Sequence, residues 1–237
     1  WMQEPESGGT VDEDFANIVS IEWNSISQLE QAISDHKGEI AGFISSPYHH
    51  PVFQDNVLPE EGYWAAVEKL CRREGIVLIV DDVRAGFRID LRGSNEFFGF
   101  KPDLICLGKA IANGYPISAL VGTDALREAV QGVFCTGTMY FGSEPMAAAL
   151  ANITELIKID AAASVNQIGR KLSDGLIKVA ADNGFDLKVS GPYSMPYLRI
   201  TNDDDMTLHF DWIARCVERG VCVLRCLGLC FGGGVGG

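Results

Sequence analysis

The stretch Gly75–Arg88, GIVLIVDDVRAGFR, decides the fold. Ile76 to Val80 form an unbroken apolar run, which suits a strand buried on both faces of a parallel sheet. That strand ends on two adjacent carboxylates, Asp81 and Asp82. A carboxylate taken out of water without a partner costs several kcal/mol or gives up its charge. A cation or a good proton donor is therefore expected at the end of this strand.

Upstream, SISQLEQAISDH (25–36) sets Ile26, Leu29 and Ile33 at helical spacing behind Ser25, a candidate N-cap. EIAGFISS (39–46) reads as a buried strand and PYHHPVFQDNVLP (47–59) as a loop. His49 and His50 are adjacent and would face opposite ways on a strand, so they read as loop residues rather than metal ligands. A helix over 60–73 follows, with Trp64, Val67, Leu70 and Cys71 on one face, and stops before Gly75.

Downstream, short strands are predicted at DLICLG (103–108) and ISALVG (117–122), with Thr123 or Asp124 capping the helix DALREAV. Helices are predicted over Pro145–Ile159, with its Pro in the first turn, and along Val165, Ile168, Leu172, Leu176 and Val179. The strand DLKVSG (186–191), a helix over 206–219 and a strand GVCVLRC (220–226) complete the pattern. Strands alternating with helices indicate an α/β fold: a mainly parallel sheet with helices on both faces, followed by a smaller α+β lobe. The expected organisation is an acidic, flexible segment (1–18), a partial large domain (19–160), a smaller lobe (161–225) and a Gly/Cys-rich tail (226–237) that is either flexible or an artefact of the reading frame.

The bulk composition narrows the function classes. The 237 residues are 47% hydrophobic, enough for a substantial core. With 32 acidic against 19 basic residues the net charge is −13, which repels nucleic acid and anionic lipid alike. No apolar run has the length of a membrane span and no basic-then-apolar leader opens the sequence, so a cytoplasmic protein is expected. The seven cysteines are an odd number, which argues against a complete disulfide framework. Cys71, Cys106 and Cys135 read as buried thiols, and Cys216, Cys222, Cys226 and Cys230 contain no CxxC pair, so ordinary thiols are favoured over a metal site.

In a parallel α/β sheet, ligands bind beyond the C-terminal ends of the strands. Asp81 ends one strand and Lys109 follows the next, in LGKAIANGYP, whose glycines permit close approach by a planar ligand. A desolvated Lys loses its proton and becomes an amine nucleophile. A carboxylate for a heterocyclic nitrogen, together with such a Lys, is the pair a pyridoxal phosphate site requires.

These residues carry a resemblance. LIVDDVRAGFR…PDLICLGKAIANGYPISALVG resembles the class III aminotransferases of fold type I, a pyridoxal-phosphate-dependent family, continuously over 75–122 and more weakly over 19–159. GFR in place of GFGRTG looks more like the glutamate-1-semialdehyde 2,1-aminomutase branch. The resemblance implies that Asp81 pairs with the protonated pyridine nitrogen of pyridoxal 5'-phosphate and that Val83 packs against the ring face. It makes Lys109 the residue that forms a Schiff base with the cofactor and then shuttles the proton. Asp82 stands where the family has Glu. In CTGTMYFGSEP, Thr138, with Thr136 as the alternative, matches the Thr that reaches the cofactor phosphate of a neighbouring subunit, so a homodimer with shared sites is implied. The implied partners are a small amine or amino-acid substrate and a keto or aldehyde acceptor.

Arg84 and Arg88 read as structural or surface residues, and Arg199 as a lobe-stabilising salt bridge in preference to a substrate carboxylate ligand. The family's phosphate loop and ring-stacking aromatic have no match before Asp81, since SGGT (7–10) lacks a strand-loop-helix setting. The expectation is a fragment of a class III aminotransferase or aminomutase. A non-catalytic binding or dimerisation module, and a racemase or decarboxylase of the same fold, stand as alternatives.

Overall fold

The computed structural model describes residues 11–51 and 54–221. Helix α1 (Ile26–Asp35) starts where expected, because the Ser25 hydroxyl accepts the backbone N–H of Gln28 at 3.3 Å. It leads to strand β1 (Gly42–Ser45) and then to α2 (Tyr63–Glu74). Gly75, at φ +70, ends α2 in the left-handed conformation and turns the chain into β2 (Val77–Asp81). After α3 (Ser94–Phe98) come β3 (Leu104–Leu107) and β4 (Ala119–Gly122).

The sheet order is β1-β2-β3-β4. The first three strands are parallel, Ser45 pairing with Val80 and Asp81 with Cys106, and β4 runs antiparallel to β3. Parallel pairing brings the C-terminal ends of β1, β2 and β3 to one edge, where the candidate site forms.

Leu78 and Val80 point to one face of β2 and pack with Leu29 and Ile33 of α1 and with Trp64, Val67 and Leu70 of α2. Trp64 stacks on Phe100, with ring centroids 4.1 Å apart. Each such side chain contributes about 1.5 to 3 kcal/mol by leaving water. The helical cover expected on both faces is met on this one. On the other face Ile44 and Leu120 are 62% and 55% exposed. An all-apolar strand specifies that both its faces avoid water, but not which elements cover them.

The second half is helical: α4 (Arg127–Gln131), α5 (Ser143–Lys158) and α6 (Ala161–Asp182), with Pro145 in the first turn of α5. The antiparallel pair β5 (Leu187–Ser190) and β6 (Tyr197–Ile200) forms a separate sheet, followed by α7 (Thr207–Glu218). The predicted strand over 220–226 lies outside the described residues from position 222, as do Cys222, Cys226 and Cys230. Cys71 is buried as expected and Cys106 is half-buried, but Cys135 is exposed, because residues 131–141 form an exposed run between α4 and α5. Among the described residues no cluster of His, Cys, Asp and Glu is arranged to hold a metal, and no helix is long and apolar enough to cross a membrane.

Candidate active site

The two strand-end carboxylates have different fates. Asp82 is fully buried and turned inward, where Ser94 serves it twice: the backbone N–H donates to Oδ2 at 2.9 Å and the hydroxyl donates to Oδ1. Burial pushes the Asp82 carboxyl above its ordinary range, and the two Ser94 bonds pull against that. The backbone carbonyl of Asp82 also accepts the N–H of Gly86 at 2.8 Å, and a Cβ on Gly86 would come within 2.8 Å of that oxygen. Asp82 thus ties down the loop 83–94.

Asp81 is the last residue of β2 and stays half-buried at the strand end. Its Oδ1 accepts the backbone N–H of Val83 at 3.2 Å. Beside it in register stands Cys106, whose thiol is pushed up by burial first and by the Asp81 charge second. A thiol held in that form is a poor nucleophile.

Lys109 follows β3 after a single buried glycine, Gly108, and opens a 3-10 turn, Lys109–Ile111. Its side chain is exposed and its φ is +44, a strained left-handed conformation for a residue with a Cβ. The turn is held from α5: Asn152 donates to the carbonyls of Ala110 at 2.7 Å and Ile111 at 3.1 Å. Val83 packs on Gly108, where a Cβ would sit 3.2 Å from Val83 Cγ1. Asp81, Val83 and Lys109 therefore gather around the ends of two adjacent parallel strands.

Thr138 is exposed, as is Thr136. Arg199 forms a bidentate pair with Asp55, at 2.9 Å to each oxygen, and Lys188 joins at 2.7 Å. Arg199 is a salt bridge between β6 and the loop after β1, as its sequence reading favoured. Ser94 and Asn152 were not singled out from the sequence. The one available signal was a polar residue interrupting the apolar pattern of a helix, as Asn152 does in α5.

The family follows from comparison with known proteins. A model of the class III aminotransferases matches residues 12–228, and the chain belongs to this family. It is 35% identical to the aminopentol aminotransferase of Sphingopyxis macrogoltabida over 92% of this chain and 52% of that protein. It is 34% identical to a glutamate-1-semialdehyde 2,1-aminomutase of Opitutus terrae over 81% of this chain and 45% of that protein. Among solved structures, the PLP internal aldimine form of the FumI protein of Sphingopyxis sp. MTA144 superposes with a TM-score of 0.88 at 35% identity. That match covers 93% of this chain and 53% of the other. A transaminase with PLP bound has the same fold, with a TM-score of 0.83 at 20% identity, over 94% and 55% of the two chains. The chain spans about half the length of the curated relatives it matches.

Proposed function

We propose that this chain carries the cofactor-anchoring part of a pyridoxal-phosphate-dependent enzyme that transfers an amino group from a small amine or amino acid to a keto or aldehyde acceptor. The observation that carries the reading is the placement of Asp81 and Lys109 at the C-terminal ends of β2 and β3, which are paired in parallel.

The residues present suit the cofactor on three counts. Asp81 offers a carboxylate to a protonated ring nitrogen. The Val83 methyls, one of them 3.2 Å from where a Cβ on Gly108 would sit, offer an apolar wall to a ring face. Lys109 offers an exposed amine to an aldehyde carbon. Pyridoxal phosphate, when bound, supplies an electron sink for the pair left when a Cα–H bond breaks. Asp81 keeps the ring nitrogen protonated, which sustains that sink. Lys109 Nζ, when not bonded to the cofactor, would be the base that moves the proton from the substrate Cα.

Thr138 and the run around it complete the reading. Phe134 and Phe141 are 91% and 75% exposed, an apolar surface that suits a second copy of the chain, with Thr138 directed to the phosphate in the partner's site. A homodimer in the cytoplasm is the assembly this implies. The separate β5–β6 sheet supports a division near residue 160 between a partial large domain and a smaller lobe. Relatives include both an aminotransferase and an aminomutase, so return of the nitrogen to another carbon of the same substrate is the second reading.

The test is titration of the purified chain with pyridoxal phosphate, followed by absorbance. A shifted near-visible band that saturates, and that Asp81→Ala weakens at least tenfold in affinity, supports the reading. Equal titration of the wild type and Asp81→Ala rules out the assigned pairing.

A further inference from the structure

One face of α5 lies on the turn that follows β3. Ala149 is buried with Ile111 and Ala112, and Ala148 and Ile153 pack against this cluster. Asn152 falls at helical spacing on the same face. Packing alone would favour an apolar side chain at such a position. The amide is matched instead by what it meets: Nδ2 donates to the carbonyl of Ala110 at 2.7 Å and to that of Ile111 at 3.1 Å. Both of its N–H groups are thereby used.

Those two carbonyls belong to the 3-10 turn that Lys109 opens. The turn also carries bonds of its own. The Ile111 N–H donates to the carbonyl of Gly108 at 3.0 Å, and the Asn113 N–H to that of Lys109 at 3.2 Å. Lys109 sits at φ +44 and Asn113 at φ +46, in the left-handed region that costs a residue with a Cβ. Such a conformation persists only where its surroundings over-determine it. The bonds within the turn are local, whereas those from Asn152 span 42 and 41 residues and tie the turn to a separate helix.

We propose that Asn152 is a positioning residue for Lys109: its two amide hydrogen bonds hold the turn in the left-handed conformation and so fix the direction in which the lysine leaves β3. The inference rests on the role given to Lys109 above. The backbone φ sets the direction of the Cα–Cβ bond relative to the preceding strand, so a turn released to the right-handed region re-aims the amine. Addition of Nζ to the aldehyde carbon, with loss of water, needs the reacting atoms aligned, and a misplacement of about 1 Å costs about a hundredfold in rate. Pairing of Asp81 with a ring nitrogen makes no such demand on this turn. Asn152 therefore serves formation of the covalent bond and not the binding that precedes it.

The experiment uses the whole chain with two variants and two readouts. Asn152→Leu has a side chain of similar size without a donor, and Asn152→Asp keeps the shape but sets oxygens against the two carbonyls. The first readout needs no cofactor. Backbone residual dipolar couplings report φ at Lys109, and amide exchange at Asn113 reports its bond to the Lys109 carbonyl. In both variants Lys109 leaves the left-handed region, and exchange at Asn113 quickens about tenfold, the scale of one hydrogen bond. A Lys109 that stays left-handed in either variant overturns the proposal.

The second readout separates binding from bond formation. Affinity for pyridoxal phosphate is measured by equilibrium dialysis in the Lys109→Ala background, and the rate of the borohydride-trapped adduct is measured with Lys109 present. Asn152→Leu leaves the affinity within about threefold and slows the adduct about tenfold. An equal loss in both marks a structural role, and an undiminished adduct rate marks no role; either overturns the proposal. If the chain binds no pyridoxal phosphate, the assigned function fails on its own, and the Lys109 backbone still decides whether Asn152 sets it.

Discussion

Ser94 satisfies both oxygens of Asp82, one through its backbone N–H at 2.9 Å and the other through its hydroxyl. This pair, 12 residues apart, answers the question raised by two carboxylates at the end of one strand. One acid is spent on holding the loop, and the other stays half-buried at the strand-end edge.

Ser94→Ala removes the hydroxyl from a buried carboxylate and should cost about 1 to 3 kcal/mol at neutral pH. The pH dependence has a definite sign. The folded-state pKa of Asp82 is raised above 3.8, so the folded protein holds this proton more tightly than the unfolded chain. That contribution to stability is present below 3.8 and is lost as pH rises through the folded value. The Ser94 bonds favour the charged form, so losing one extends the decline to higher pH. Urea unfolding of Ser94→Ala should show a smaller deficit at about pH 4 than at about pH 8. The same deficit at both would contradict the assignment.

Asp55 has the opposite sign. Its hydrogen bonds with Arg199 lead, and those with Lys188 add to them, in lowering its carboxyl from 3.8 to about 2. The stability it contributes is present above 3.8 and is lost as pH falls through about 2. Solvent screening at the rim of the protein holds the amount to about 1 to 2 kcal/mol. Asp55→Asn should therefore unfold more easily at both pH 7 and about pH 5, by similar amounts. A deficit confined to the higher pH would mean that another group is responsible.

Two glycines in α6 make a matched pair. A Cβ on Gly169 would fall 1.8 Å from the backbone carbonyl of Tyr193, whereas one on Gly175 would meet nothing within 4 Å. Gly169→Ala should cost about 2 to 4 kcal/mol by forcing the helix off the Tyr193 segment. Gly175→Ala should add about 0.5 to 1 kcal/mol by ordinary helix propensity. Thermal unfolding of the two variants decides it, and a Tm for Gly169→Ala as high as that of Gly175→Ala would refute the placement of Tyr193.

The central strand pair was legible in the sequence because its signals are local: an apolar run, a terminal acid, and a Lys beyond the next strand. Ser25 as a cap and Gly75 as a stop were legible for the same reason. Asp82 was not, because its partner Ser94 is set by the path of an intervening loop. Cys135 was misread as buried, because an apolar flank such as Val133–Phe134 looks the same whether its cover lies within the chain or outside it.

The measurement that bears most directly on the account is borohydride reduction of the protein after incubation with pyridoxal phosphate, followed by peptide mapping, with Lys109→Ala as the control. The account predicts a single reduced adduct on the peptide carrying Lys109 and none at any position in the variant. Label spread over several surface lysines, or retained at the same level in Lys109→Ala, would contradict it.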